Sequence, residues 1–184
     1  MNKRIIVKVA GGLGNQMFMY ANALSLAKKF DYKLFIDNTS GFFQNKNRTH
    51  ERNYGLHMFN LSANLAEEKD KYDKYLSHSY KKILKFFNNY QNKKSFLTDP
   101  FDVEKKTFYK DIDSSLSNKV YLEGHFESEK YFLEIKSHLI NQFKIKDNFI
   151  DKNNKYINLL KKENSVSIHI RRDRFVEPED FKYR

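Results

Sequence analysis

The apolar positions of this chain change period several times, and each change predicts a new element. Residues 4–10 are mostly apolar without strict alternation, which is typical of a parallel strand buried on both faces. Apolar residues then recur at helical spacing through residues 15–30, and a second short apolar run occupies residues 33–37. A strand, a helix and a strand in this order predict a βαβ unit with parallel strands.

The rest of the chain continues this alternation of strands and helices. We predict two lysine-rich helices within residues 65–87 that join near Ser77, a third strand around Val120 and Leu122, helices at about 128–143 and 151–162, and a last strand at 166–171. Residues 39–53 read as a polar, basic loop that either faces a substrate or simply covers the surface.

Helices of this length between strands predict an α/β fold, with a Rossmann-like parallel sheet and flanking helices. We assign residues 1–160 to this domain and expect residues 161–184 to begin a second one. Hydrophobic residues make up 40% of the chain and aromatic residues 16%, so it can build a real core despite a mean hydropathy of -0.79.

Cysteine is missing from the sequence, which excludes disulfides, thiol catalysis and cysteine-based zinc sites. The apolar run at residues 5–10 is shorter than the core of a signal peptide, and no run approaches the length of roughly 18 residues that a membrane span needs. We therefore expect a cytoplasmic protein whose contact with a membrane is at most peripheral, at the inner face.

The formal net charge of +11 suits nucleic acid, an anionic membrane face or anionic small substrates. Lysine is spread along the helical middle of the chain rather than concentrated in one stripe, so we expect a solvated surface and no nucleic-acid partner. A non-enzymatic module that binds RNA or another polyanion stays open as an alternative.

The first predicted strand runs into a glycine turn that contains Gly11, Gly12 and Gly14. Glycines let the backbone take positive φ and approach a ligand closely, and the helix that follows directs its unpaired N–H groups outward. Asn15 and Gln16 add side-chain amides at the same place. This is the layout of a ligand-binding turn between a strand and a helix.

A dinucleotide fingerprint is one interpretation of this turn. It would need a third glycine where Met17 stands, although Asp37 lies about where an acid would bind a ribose. The missing glycine weakens the prediction of a nucleotide-dependent oxidoreductase, which stays open as a further alternative.

A second candidate site follows the last predicted strand, at the edge where open α/β sheets bind ligands. Arg171 and Arg172 are adjacent, so both cannot face the core, and the guanidinium fork suits phosphate. His169 is compatible with three roles: a general base, a donor to phosphate, or a core histidine that is bonded to a backbone carbonyl.

Three segments taken together resemble a known family. They read GGLGNQMFMYA at residues 11–21, LEGHFESEKYF at residues 122–132 and HIRR at residues 169–172. In sequence, order and spacing they resemble the bacterial α-1,2-fucosyltransferases of glycosyltransferase family 11. The resemblance implies a metal-independent, inverting transfer of L-fucose from GDP-fucose to the 2-hydroxyl of a galactose in a glycan acceptor, without any cofactor. It also implies a GT-B-like fold of two Rossmann-type domains with the site between them.

By matching position, the resemblance gives roles to individual residues. Arg171 and Arg172 would bind the donor diphosphate, and Gly12, Gly14, Asn15 and Gln16 would line the cleft. The family motif usually continues Gly-Asp after the arginine pair, whereas this chain has Asp173 and Arg174, so its acid is displaced by one position. The catalytic candidates are accordingly Arg171, His169 and Asp173.

Family members are longer than this chain, and most of their sequence after the arginine motif has no counterpart here. We therefore expect residues 161–184 to be the first strand and arginine motif of a donor-binding domain. We also expect the chain by itself to have little transferase activity.

Overall fold

The computed structural model of the chain describes residues 3–43, 52–90, 94–98, 109–112, 115–150, 154–162, 164–166 and 168. The chain divides into two compact units, Met1–Lys146 and Asp147–Arg184. This division falls ahead of the boundary at residue 160 that the sequence predicts.

The first unit is built on a five-stranded sheet in the order β3-β2-β1-β5-β4, in which all neighbouring strands are parallel. The strands are β1 (Arg4–Lys8), β2 (Lys33–Asp37), β3 (Asn64–Leu65), β4 (Phe96–Thr98) and β5 (Lys119–Glu123). This confirms the predicted α/β fold with a parallel sheet. The central strand β1 is buried on both faces, which explains why its apolar run does not alternate.

The helix α1 (Leu13–Phe30) covers one face of the sheet. Its buried side chains, which include Met19, Tyr20 and Ala23, pack with Ile5 and Val7 of β1 in the main core. The opposite face carries a smaller cluster around Ile6, Ala66, Tyr72 and Tyr121. Burial on both faces is the reason why the apolar residues of β1 and β5 are nearly continuous.

The predicted pair of helices within residues 65–87 is wrong. The structure has β3 and a short 3-10 turn, Glu68–Asp70, followed by one helix, α2 (Tyr75–Tyr90). Ser77 does not join two helices, because it lies in the first turn of α2. There its hydroxyl accepts from the Lys74 N–H and donates to the Lys74 carbonyl. Strands β3 and β4 are too short for the sequence to show a period of two, and both were missed.

The helix predicted at 128–143 is interrupted. Residues Glu129–Tyr131 and Leu133–Ile135 form 3-10 turns, and only α3 (Lys136–Gln142) is α-helical. Phe132, Ile135 and Leu139 still pack on the core, because steps of three residues suit a 3-10 turn as well as an α-helix. The apolar spacing therefore identified the buried face but not the type of helix.

The second unit contains α4 (Asp147–Ile150) and α5 (Asn154–Lys162). The described part of α5 confirms the helix predicted at 151–162. Val166 and Ile168 are exposed and lie outside any strand, whereas the rest of the strand predicted at 166–171 lies outside the described residues. Among the helices that the structure describes, none is long and apolar enough to cross a membrane.

Candidate functional site

Strands β1 and β5 are parallel neighbours, so the loops that follow them leave the sheet side by side at its carboxyl edge. The glycine turn at residues 11–14 follows β1, and Gly124 to Phe126 follow β5. Ligands of open α/β sheets bind at this edge, outside the carboxyl ends of the strands. We therefore take this pair of loops as the candidate site.

The three glycines of the turn differ in backbone conformation and in the space around them. Gly11 has a φ of 71°, and a Cβ there would lie 3.2 Å from Asn15 Nδ2. Gly12 is extended, with a φ of -74°, and a Cβ on Gly14 would meet nothing within 4 Å. The prediction that all three glycines supply positive φ is thus corrected to Gly11 alone, while Gly14 leaves open space beside the first turn of α1.

The amino end of α1 is electrostatically uncompensated. Gly12 is the N-cap and offers no side-chain hydrogen bond, and the first turn holds no acidic residue. Arg52 Nη1 lies 3.9 Å from the position that a Cβ would take on Gly12, so it adds a second source of positive potential. Free N–H groups, the helix dipole and a guanidinium together favour an anionic group at this point.

Gln16 is buried and joins the glycine turn to residues 53–55. Its amide Nε2 donates to the carbonyls of Gly11 and Asn53, at 3.0 and 2.9 Å, and its Oε1 accepts from the Gly55 N–H at 2.9 Å. Both amide hydrogens are used. Gln16 therefore acts as a positioning residue in this structure, at the turn where the sequence predicts that it lines the cleft.

Asn15 is half-buried and reaches the loop after β5, where its Nδ2 lies 3.3 Å from His125 Nδ1. His125 stands between two residues with positive φ, Gly124 at 137° and Phe126 at 52°. Phe126 is fully buried and packs edge-on against Tyr131, which holds it in a backbone conformation that is rare for an aromatic residue. The turn directs His125 outward at the carboxyl edge.

Sequence reasoning left His125 out of the candidate site. The histidine was visible within the segment at residues 122–132, directly after a predicted strand. Its position at the end of a strand in the same edge as the glycine turn was the signal that could have found it.

Asp37 does not face this edge as a ligand. It is fully buried, and its carboxylate accepts from the backbone N–H groups of Thr39 and Ser40, from the Ser40 hydroxyl, and from the Tyr121 hydroxyl at 2.6 Å. Burial and the neighbouring Asp37 charge raise the pKa of Tyr121, so that hydroxyl stays a donor. Both carboxylate oxygens of Asp37 already accept hydrogen bonds from within the protein, so Asp37 is not available to a ribose.

The other predicted site residues, His169, Arg171, Arg172 and Asp173, lie outside the described residues. Within the part of the chain that the structure describes, no group of three or more histidine, aspartate or glutamate side chains is arranged to hold a metal ion.

The family model of glycosyl transferase family 11 matches residues 4–183, which includes both the glycine turn and the arginine pair. The chain belongs to this family. The predicted family resemblance is confirmed, and the candidate site of this family 11 chain lies within the matched region.

Two curated relatives, both from Escherichia coli, are similar to this family 11 chain. One is an alpha-1,2-colitosyltransferase, 31% identical over 180 residues that cover 94% of this chain and 55% of the relative. The other is the O-antigen biosynthesis glycosyltransferase WbnK, 25% identical over 186 residues that cover 91% of this chain and 58% of that relative. The chain thus spans little more than half the length of these relatives. No solved structure matches it significantly.

Proposed function

We propose that this chain is the N-terminal portion of an inverting glycosyltransferase, called the longer enzyme below. The reaction moves L-fucose from GDP-fucose to the 2-hydroxyl of a galactoside in the synthesis of a bacterial surface glycan, without a metal ion or other cofactor. Membership of family 11 and a relative named for O-antigen biosynthesis support this proposal.

The observation that carries the proposal is the juxtaposition at the carboxyl edge. An uncapped helix end, the Arg52 guanidinium and the Asn15–His125 pair meet there. When GDP departs from the sugar, negative charge builds up on phosphate oxygens, and fixed donors stabilise such charge without reorganising. These positively polarised donors suit a reaction in which the leaving group is a nucleoside diphosphate.

We assign different tasks to the residues of the carboxyl edge and to those of the arginine motif. The edge that contains Gly12, Gly14 and Asn15 contacts the substrates, and Gln16 keeps its loop in place. Arg171 and Arg172 bind the donor diphosphate, and His169 and Asp173 are retained as candidates for proton transfer. In the longer enzyme, changing Arg171 to Ala should lower turnover by orders of magnitude through lost charge stabilisation.

The identity of the donor can be tested against one close competitor. Colitose lacks the 3-hydroxyl that fucose has, so a site that bonds this hydroxyl rejects the deoxy sugar strongly. We expect the longer enzyme to prefer GDP-fucose over GDP-colitose with a galactoside acceptor. A preference for GDP-colitose would replace fucose in the proposal and leave the family assignment untouched.

The role of the helix end is tested by adding a negative charge to it. A glutamate at position 14, made as Gly14→Glu, should leave the fold intact because acidic residues suit the first turn of a helix, yet it should repel a diphosphate. We expect its affinity for GDP, measured by calorimetry on the 184-residue chain, to fall at least about tenfold.

Asn141→Glu is the matched control for net charge, since Asn141 is exposed on α3 and is not part of the carboxyl-edge loops. This variant should bind GDP like the wild type. Equal affinities for GDP in the Gly14→Glu variant and the wild type would remove the helix end from the site. Efficient fucose transfer by the 184-residue chain alone would show that the expected inactivity is wrong.

A further inference from the structure

Helix α2 presents its apolar face to solvent. Besides Tyr75 at its first position, five large apolar residues on it are more than half exposed: Leu76 at 87%, Tyr80 at 57%, Ile83 at 53%, Phe86 at 70% and Phe87 at 54%. Their spacing of three and four residues places them on one side of the helix, which we call the α2 stripe. A helix that packs on a sheet normally buries such a face.

The opposite side of α2 faces the sheet and carries lysines. Lys81 is almost fully buried, and its Nζ donates to Glu123 Oε1 at 2.8 Å. Lys85 donates to the other carboxylate oxygen of Glu123, and Lys8 of β1 donates to Oε1 at 2.9 Å. The Lys81 ammonium also lies over the ring of Tyr72, 5.4 Å from its centroid. Charge, rather than apolar packing, attaches α2 to the sheet.

These ion pairs fix which way the stripe points. A rotation of α2 that buried the stripe would take Lys81 and Lys85 away from Glu123, which is itself buried at the end of β5. A buried carboxylate that loses its partners is strongly destabilising. The buried ion pairs with Glu123 therefore keep the stripe exposed to solvent.

The charges around the stripe indicate what covers it. Residues 71–85 contain five lysines and one aspartate, and Lys74 and Lys82 are exposed beside or just before the stripe. A lysine-rich helix with aromatic and aliphatic residues along one side is typical of helices that lie in the interface of an anionic bilayer. The net charge of +11 attracts the whole chain to such a surface.

We propose that α2 docks the protein on an anionic lipid bilayer, with the α2 stripe inserted among the lipid head groups. Lys74 and Lys82 contact the anionic head groups, while Lys81 and Lys85 hold the helix to the sheet. A second copy of the chain fits this surface less well, because a symmetric contact would bring the same lysines face to face.

Vesicle binding of the 184-residue chain tests this proposal. The chain should co-sediment with phosphatidylcholine vesicles that contain phosphatidylglycerol and not with pure phosphatidylcholine, and binding should weaken as salt is added. The double variant Ile83→Glu with Phe87→Glu should bind the anionic vesicles at least about 100-fold more weakly, since two apolar anchors are lost. GDP affinity, which reports the separate carboxyl-edge site, should stay unchanged.

Ile140→Glu is the matched control, because Ile140 on α3 is equally exposed, at 60%, and lies outside the stripe. It should retain vesicle binding. Unchanged binding in the double variant, or an equal loss in Ile140→Glu, would overturn the proposal. A chain that dimerises through the stripe, as shown by sedimentation velocity, and ignores vesicles would also overturn it.

A fluorescence probe avoids any dependence on the folding of the double variant. The chain has no tryptophan, so Phe86→Trp gives a single reporter on the stripe, and Ile140→Trp gives one outside it. Anionic vesicles should shift the Phe86→Trp emission to the blue and leave that of Ile140→Trp in place. An emission from the Phe86→Trp variant that does not respond to vesicles would overturn the proposal.

Discussion

Asn15 and His125 are separated by 110 positions in the chain, and yet Asn15 Nδ2 lies 3.3 Å from His125 Nδ1. The contact exists because β1 and β5 are adjacent parallel strands, whose following loops meet at one edge. With Asn15 as the donor, Nδ1 of the neutral imidazole accepts and the Nε2–H becomes available to a substrate oxygen. In that tautomer the pair presents a hydrogen-bond donor at the candidate site.

We predict that His125→Ala lowers kcat/KM of the longer enzyme about tenfold or more, because a hydrogen bond to substrate is lost. Stability should change by less than about 0.5 kcal/mol, since His125 is exposed. His125→Gln keeps a donor and should recover part of the activity. Kinetics for GDP-fucose and a galactoside, with thermal unfolding beside them, check this, and wild-type kinetics in His125→Ala would exclude the role.

The same substitution at two glycines should have opposite effects. A Cβ on Gly41 would lie 2.0 Å from the Val9 carbonyl oxygen, so Gly41→Ala should cost about 3 kcal/mol or displace the loop after β2. Gly14→Ala meets nothing within 4 Å and removes a poor helix former, so it should stabilise by as much as about 0.8 kcal/mol. Urea unfolding of both variants measures the difference. Similar destabilisation in both would contradict the packing described for Gly41.

Glu123 should make stability depend on acid pH. Burial by itself would raise the pKa of this carboxyl, but hydrogen bonds from Lys81 and Lys85 and the charge of Lys8 hold the pKa at about 2, below its ordinary value of 4.5. A lowered pKa in the folded state stabilises the fold above pH 4.5, and this contribution is lost as the pH falls toward 2. The contribution of Glu123 to the free energy of unfolding above pH 4.5 is about 3 kcal/mol.

The substitution that checks this is Glu123→Gln. It should destabilise by about 3 kcal/mol at pH 7, because the buried Lys81 loses its carboxylate. It should also flatten the dependence of the unfolding free energy on pH between about 5 and 2. Lys85→Met should cost less, since Glu123 keeps Lys8 and Lys81. An unchanged pH profile in the Glu123→Gln variant would contradict the charge cluster.

Gln16→Leu should destabilise by about 2 kcal/mol, because it removes a buried amide and leaves the partly buried Gly55 N–H and the Gly11 carbonyl without their partner. Asn15→Leu, one position earlier and only half-buried, should cost less than about 1 kcal/mol. Denaturant unfolding of both compares a positioning residue with a site residue. Equal costs would show that Gln16 does not hold the glycine turn to residues 53–55.

Local patterns were enough for the first fifth of the chain, up to the end of β2 at Asp37. The apolar run of β1, the helical spacing of α1 and the short run of β2 are each set by which neighbours along the chain are buried, so they can be predicted from sequence. The glycine turn between them was predictable for the same reason. Strands β3 and β4 have two and three residues, which carry no period.

The sequence by itself determined the alternation of strands and helices, the family and the place of the glycine turn, since all of these depend on residues close together along the chain. Only the tertiary structure decided that Asn15 contacts His125, that the Gln16 amide bonds to backbone groups of two loops, and that the apolar face of α2 is exposed to solvent. Each of these depends on a partner that is brought in by the sheet order. The partner of Lys81, for example, is Glu123, 42 positions away, and no local pattern specifies such a pair.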